Sequence, residues 1–353
     1  MTRTRLFLPA HVPALALAFA CALVAPVAAA AGCPHADAGP TTFTMRMDND
    51  VYGGAHQDQG YSGGGMLQFA SPTLAATDEA GDCIPTGMRW LDRGSDWLGR
   101  GDARNVTVSM SQAIFTPADR YLETVDPEDR PYAAVLYAAL GRNVRRGDTL
   151  DTTQLRFGVV GPSALGEQVQ DELHHLFGRP QFRGWDLQLR DEPVFAVVHE
   201  RAWRWAGPQY DGGWGFDYGA HAGGSVGNLA THANGGGRIR FGRDLPDDFG
   251  SSPLRPGGEN AAPVVRARER GWNFHIYADF DARLVGHDLS LDGSTWKESH
   301  SVDRRAFVAD LTLGFVATQG DWRFAATHTR RSREFDGQRE APVFGSFAFS
   351  KSF

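Results

Sequence analysis

The chain has 353 residues, 42 of them glycine, 11% aromatic residues, and a formal charge of −7. This acidic balance argues against a nucleic-acid partner. The length suits two average domains or one large all-β barrel, and the glycine and aromatic content favours strands joined by tight turns.

The N-terminus reads as a secretory signal. Arg3 and Arg5 precede an apolar run from Ala14 to Val24, followed by small residues to Ala31. Residues 1–31 are therefore expected to be a signal peptide, and 32–353 the mature barrel. Ala30-Ala31-Gly32-Cys33 lacks the leucine expected three positions before a lipidated cysteine, so ordinary secretion is expected. Cys33 and Cys83 remain in the mature chain, and an oxidising compartment permits a disulfide between them.

Strand patterns follow near 41–50, 60–70, 105–116, 131–142, 152–161, 193–205, 213–223, 231–242, 272–286, 304–317, 321–332 and 341–353. Alternation is plainest in the later ones. Trp272, Phe274, Ile276, Ala278, Phe280, Ala282 and Leu284 share one face, opposite Asn273, His275, Tyr277, Asp279, Asp281 and Arg283. Phe307, Ala309, Leu311, Leu313 and Phe315 likewise oppose Asp310 and Thr312. A soluble sandwich would have to bury the apolar faces between two sheets. Full charges on the polar faces, and a last alternating strand ending in Phe353, favour an all-β, twelve-stranded antiparallel transmembrane β-barrel in the bacterial outer membrane. With both termini in the periplasm, 51–59 and 162–190 are extracellular connections, and 71–104 and the Pro-, Gly- and Asp-rich 244–270 are periplasmic.

One stretch breaks the strand pattern. Phe157 to Gly178 reads as a strand, a Gly-Pro stop and a short helix, with Ser163 as expected N-cap and Gly178 as C-terminal stop. Glu167, Gln170 and His174 fall at i, i+3 and i+7, on one helix face, with His175 on another. Neutral imidazole is the usual general base near neutral pH, although a lone surface histidine is more often inert. Asp48-Asn49-Asp50 and Gly60-Tyr61-Ser62-Gly63-Gly64 flank the first outer turn and offer hard oxygen ligands of the kind Ca²⁺ takes, or ordinary turn chemistry. Asp129-Arg130-Pro131-Tyr132 reads as a charged rim turn or a positioning element.

Two patterns mislead. Gly223-Gly224-Ser225-Val226-Gly227 matches a nucleophile elbow but lies between strands, without the α/β context that motif needs. Asp288-x-Ser290-x-Asp292-Gly293 starts like an EF-hand loop but has Ser299 at its twelfth position, and reads as an extracellular loop.

Taken in order, Asn49-Asp50, Tyr61-Ser62-Gly63-Gly64, Gln112 through Pro117, Asp129-Arg130-Pro131-Tyr132, and Gly158-Val159-Val160-Gly161-Pro162 leading to Glu167-Gln168-Val169-Gln170 and His174 resemble the outer-membrane lipid A 3′-O-deacylase family. The resemblance implies a twelve-stranded barrel that removes 3′-linked acyl chains from the lipid A of lipopolysaccharide with Ca²⁺. It implies active-site positions for Asn49, Asp50, Ser62, Gln170 and His174. His174 would be the general base on water, and Ca²⁺ held by Asp50 and oxygens of Ser62 and Gly64 the oxyanion stabiliser. Gln170 and Asn49 would orient base, water or substrate. Some members carry an active-site lysine after the third strand, where this chain reads Ala118-Asp119-Arg120; Arg120 is the candidate substitute. The expected surroundings are lipopolysaccharide and outer-membrane lipid, with the chain a monomer. The competing readings are a phospholipase barrel with Ser62 as nucleophile and a non-enzymatic porin-like barrel.

Overall fold

The computed structural model describes residues 41–54, 59–76, 84, 86–250 and 271–353. The expected signal peptide, Cys33 and Cys83 lie outside the described residues.

Twelve long antiparallel strands close into a barrel. They are β1 (Thr42–Asn49), β2 (Gly60–Ala70), β3 (Ala103–Thr116), β4 (Ala133–Arg146), β5 (Thr149–Val160), β6 (Glu192–Gln209), β7 (Trp214–Gly227), β8 (Ala230–Arg243), β9 (Trp272–Asp288), β10 (Phe307–Gln319), β11 (Trp322–Arg331) and β12 (Val343–Ser352). Each pairs with its chain neighbours, and β1 closes the ring on β12, from Thr42 opposite Ser352 to Asn49 opposite Gly345. The two-residue strand Leu74–Ala75 adds to the edge of β3.

The expected boundaries hold to within a few residues. The largest shifts are β4, which starts and ends later than expected, and β6 and β7, which run on to Gln209 and Gly227. The elbow-like Ser225 is thus inside a strand; its hydroxyl donates to the Ala230 carbonyl across the turn.

Alternation settles which face meets lipid. Leu155, Phe157, Phe195, Val197, Ile276, Phe280, Leu311, Leu313, Phe347 and Phe349 are exposed on the outer wall. Many of the residues that alternate with them are buried on the lumen side, and the charged ones among these are paired. Asp310 accepts from Arg283 at 2.9 Å and from Arg331 at 2.8 and 3.0 Å. Arg238 donates to Asp279 at 2.8 Å, and His221 meets Asp281 at 2.9 Å. Such groups are tolerated away from water because each has a hydrogen-bonded partner.

The rim at which β1 begins and β12 ends has tight turns at 147–148 and 320–321, where Gly147 and Gly320 take positive φ. The opposite rim carries four long connections, 117–132, 161–191, 289–306 and 332–342, while the connections after β2 and β8 belong to the first rim. Short turns mark the periplasmic end of such barrels and long loops the outer end. At the outer end Tyr61, Phe115, Tyr137, Leu289 and Phe344 pack into one cluster within the lumen. Arg130 stacks 4.7 Å over Phe115, holds Glu334 at 3.2 Å and donates to Ser290 at 2.6 Å. The Asp129-Arg130 turn is therefore a clasp across the outer loops. At the periplasmic end Asp247 bonds Arg145 and Arg204, and Asp248 bonds Arg240 and Arg323. The described part of the 244–270 connection thus folds in under the lumen.

A helix absent from the sequence reading, α1 (Thr86–Gly94), lies in the periplasmic connection. Its Met88 and Leu91 pack with Leu74 and Ile84 on Val106 and Val108 of the barrel's outer wall. The expected helix in the outer loop is present as α2 (Gly166–Leu176). A third, α3 (Leu289–Asp292), occupies the EF-hand-like stretch; Asp288 caps it by accepting the Ser290 N–H.

Candidate functional site

The candidate side chains Asn49, Ser62, Gln170 and His174 lie on the outside of the barrel wall, whereas Gly64 sits opposite the lumen-facing Asp48. In β1, Asp48 faces inward and accepts the Tyr61 hydroxyl at 2.7 Å, so Asn49 faces outward by alternation. Asn49 is held at both ends of its amide. Its Oδ1 accepts the Val51 N–H at 2.9 Å, capping the 3₁₀ turn Asp50–Gly53, and its Nδ2 donates to the Ser62 carbonyl at 3.0 Å. Asp50 opens that turn, almost fully buried, and its Oδ2 accepts the Gln59 N–H at 3.0 Å. The first hairpin is thus latched from both strands.

Ser62 sits on a β-bulge, because the β2–β3 register slips between Tyr61 and Gly63. Bulges commonly re-aim a side chain beside a functional site. Tyr61 is committed to the lumen, and the bulge turns Ser62 outward to a short hydroxyl contact with Thr116. Gly64 lies deeper in the ladder, opposite Asp48 on one side and Ala113 on the other. A Cβ there would come within 2.6 Å of the Gln112 carbonyl and overlap the Tyr61 hydroxyl, so position 64 has backbone only.

The helix α2 leans on the same wall. Gly166 meets Ala134 so closely that a Cβ would overlap it, and Ile114, Tyr132, Ala164, Phe182 and Trp185 pack beneath. Gln112 donates to the Ala164 carbonyl at 2.6 Å, tying the helix entrance to β3. The helix start differs from expectation. Leu165, at φ 60°, occupies the cap, and Ser163 instead bonds Asp191 through its N–H at 2.8 Å and hydroxyl at 2.9 Å. Gly178 follows the helix at φ 62°, as expected of a C-terminal stop. The buried face is Gly166, Gln170 and His174, one turn apart, whereas Glu167 lies beside it and is exposed.

Both buried polar side chains of α2 are oriented. Gln170 Oε1 accepts the Trp185 indole N–H at 3.0 Å. His174 Nδ1 lies 2.6 Å from the Pro180 carbonyl oxygen. A carbonyl only accepts, so Nδ1 carries the proton, and in the neutral ring Nε2 is the basic nitrogen. The Phe182 ring lies 5.7 Å from the imidazole, and the Arg120 guanidinium lies 5.5 Å over that same Phe182 ring. Arg120 therefore belongs to the aromatic group that supports His174. Burial pushes the Tyr132 phenol up to about 12, so it enters the site as a neutral group. His175 is exposed.

Gln112, Thr116 and Trp185 were not singled out as site residues. The first two had a signal: Gln112, Ile114 and Thr116 occupy the lipid-facing positions of β3, where polar residues are anomalous. Trp185 had none, because only folding of the loop brings it to Gln170.

The donors at the outer end of the first hairpin are hard oxygens with the Asp50 carboxylate among them, while the Asp48 carboxylate is turned to Tyr61 in the lumen. Among the described residues no three His, Cys, Asp or Glu come together. That set fits a hard oxygen-seeking ion such as Ca²⁺ in kind, and does not fit a nitrogen- or sulfur-ligated metal.

The family model for the outer membrane protein LpxR matches residues 15–353. The chain belongs to that family. LpxR from Salmonella typhimurium has the same fold, with a TM-score of 0.69 at 15% identity over 88% of this chain and 100% of that one. The β domain of the Bordetella autotransporter BrkA follows at a TM-score of 0.43, 13% identity, 90% of this chain and 100% of that one. Among curated protein sequences none matches. Family and fold together place this LpxR-family chain in the outer membrane as a twelve-stranded barrel, as expected from its strands.

Proposed function

We propose that this protein is a Ca²⁺-dependent lipid A 3′-O-deacylase that hydrolyses the 3′-linked acyl ester of lipopolysaccharide. The observation that carries the reading is the placement of an oriented histidine, His174, on the outer wall at the outer rim. Its Nδ1–H is given to the Pro180 carbonyl, so Nε2 is the basic nitrogen. A lipid ester reaches that wall from the leaflet, with its acyl chains along the exposed apolar face and its head region at the rim. Membership of the LpxR family supports the same substrate class.

His174 would take a proton from water through Nε2 as the water attacks the ester carbonyl. The Pro180 carbonyl would stabilise the imidazolium that forms, since it already accepts the opposite N–H. Gln170, fixed by Trp185, and Asn49, fixed by Val51 and Ser62, would present amide groups to water and substrate. Asp50, Ser62 and the Gly64 carbonyl would hold the ion. Ca²⁺ when bound would supply polarisation of the ester carbonyl and stabilisation of the negative charge that develops on its oxygen.

Ser62 is read as a ligand and not a nucleophile, since the hydroxyl contact it makes among the described residues is to Thr116, with no base. The test is mass spectrometry of lipid A from cells making the wild type or the His174→Ala protein. Loss of the 3′ acyl group only with the wild type supports the reading. Unchanged lipid A with folded wild-type barrel and added Ca²⁺ rejects it.

A further inference from the structure

The outer wall carries a second polar group of residues, at the opposite end of the barrel from His174. Below the apolar residues Leu155, Phe157, Phe195 and Val197, the same outward positions continue as Thr153 and Asp151 on β5 and His199 and Arg201 on β6. The register sets Thr153 opposite His199 and Asp151 opposite Arg201. Arg146, at the end of β4, reaches Asp151 at 2.5 Å and the Leu98 carbonyl at 3.2 Å. The chain after α1 walls the other side with the 3₁₀ turn Asp96–Leu98. Together they enclose a recess of about 330 Å³ lined by Trp97, Leu98, Arg142, Arg146, His199 and Arg201, among others.

The charges in it do not balance. Arg142 is matched, being held by Asp92 at 2.9 Å and Asp96 at 3.2 Å. Arg146 and Arg201 share the single carboxylate of Asp151, with Arg201 at 2.6 and 2.9 Å. Two guanidinium groups on one carboxylate leave a positive charge, and both side chains stay about half exposed, at 43% and 50%. Arginine in this setting suits a phosphate oxygen, which it can bind through paired N–H groups. The surroundings name the carrier of that phosphate. Trp97 is 80% exposed, with Trp90 and Trp205 also exposed nearby on the periplasmic half. Tryptophan on the outer surface of a barrel end marks the membrane–water interface. A group that meets this recess from the membrane has a headgroup at the arginines and acyl chains against Leu155 and Val197.

We propose that this recess binds the phosphate of a net-anionic glycerophospholipid headgroup in the periplasmic leaflet. The proposal rests on the barrel fold and its orientation, and not on the deacylase reading.

The test uses the whole barrel in nanodiscs of phosphatidylcholine doped with a small fraction of phosphatidylglycerol, with native mass spectrometry of the lipid that stays bound. The wild type should retain phosphatidylglycerol, and Arg146→Ala/Arg201→Ala should retain at least fivefold less. Arg305→Ala, which removes an exposed arginine from the outer loops, should retain as much as the wild type. His199→Glu, at an exposed position whose imidazole meets the Thr153 hydroxyl at 2.9 Å, should also lower retention and guards against a misfolded double variant. Equal retention by wild type, double variant and His199→Glu overturns the proposal, and so does an equal loss in Arg305→Ala. Displacement of the lipid by millimolar inorganic phosphate assigns the recess to a free anion and overturns the lipid reading. Persistence of the lipid under inorganic phosphate supports it.

Discussion

Replacing His174 by glutamine isolates the chemistry from the packing. In the structure the imidazole Nδ1–H donates to the Pro180 carbonyl, and the ring lies 5.7 Å from Phe182. A glutamine amide can still donate to the Pro180 carbonyl but offers no basic nitrogen. The loss of a general base costs about 10²–10⁴-fold in rate, or about 2.7–5.4 kcal/mol of barrier. Losing the Pro180 hydrogen bond as well, as in His174→Ala, adds about 0.5–1.5 kcal/mol, so the two variants should differ from each other by about tenfold or less. The assay is release of the 3′ acyl chain from purified lipid A in mixed micelles with Ca²⁺, with heat-modifiable gel mobility confirming the folded barrel. His175→Ala should stay within about twofold of wild type, because His175 is exposed and makes no side-chain hydrogen bond among the described residues. A His174→Gln enzyme within tenfold of wild type, or a larger loss in His175→Ala than in His174→Gln, would refute the assignment of the base.

Four further outcomes are expected. Trp185→Phe removes the indole N–H from Gln170, and at about 1 kcal/mol for one hydrogen bond should lower turnover severalfold with the barrel intact, measured as kcat on lipid A. Gly166→Ala should unseat α2 from Ala134 and reduce activity with little change in barrel unfolding, which protease nicking of the 161–191 loop would report. Asp50→Asn should raise the Ca²⁺ concentration needed for half-maximal activity; an unchanged Ca²⁺ titration would remove Asp50 from the ion site. Acid should loosen the outer loops. Burial pushes the Glu334 carboxyl up, but Arg331, Arg130 and Arg283 more than reverse it, leaving it below its ordinary value of 4.5. Its stabilising contribution is therefore complete above pH 4.5 and is lost as pH falls through the lower folded-state value. Hydrogen exchange of 332–342 should rise in that acid range and not between pH 5 and 8.

Much of the architecture follows from residue order. A period of two with charge on one face and aromatics on the other has few solutions: the polar set in β9 is affordable only where Arg, Asp and His find one another, which a closed lumen provides. The same alternation placed the strands to within a few residues, and a helix-period break in an otherwise strand-rich chain marked α2. Asn49, Asp50, Ser62, Gln170 and His174 were named from order and spacing through the family resemblance.

The sequence by itself could not determine which wall those residues share. Ser62 faces outward only because a bulge shifts the register against β3 after Tyr61 has turned into the lumen, and a one-residue slip reverses every side chain beyond it. Glu167 and Gln170 share a nominal helix face, yet the docking of Gly166 on Ala134 rotates Gln170 and His174 into the wall and leaves Glu167 outside. The proton on Nδ1 of His174 depends on Pro180, six residues on, whose carbonyl arrives there only when the loop folds back over Phe182. Periodicity is a local property and survives in the sequence. Register, docking and tautomer arise from contacts between segments far apart along the chain, and only the closed barrel brings those segments together.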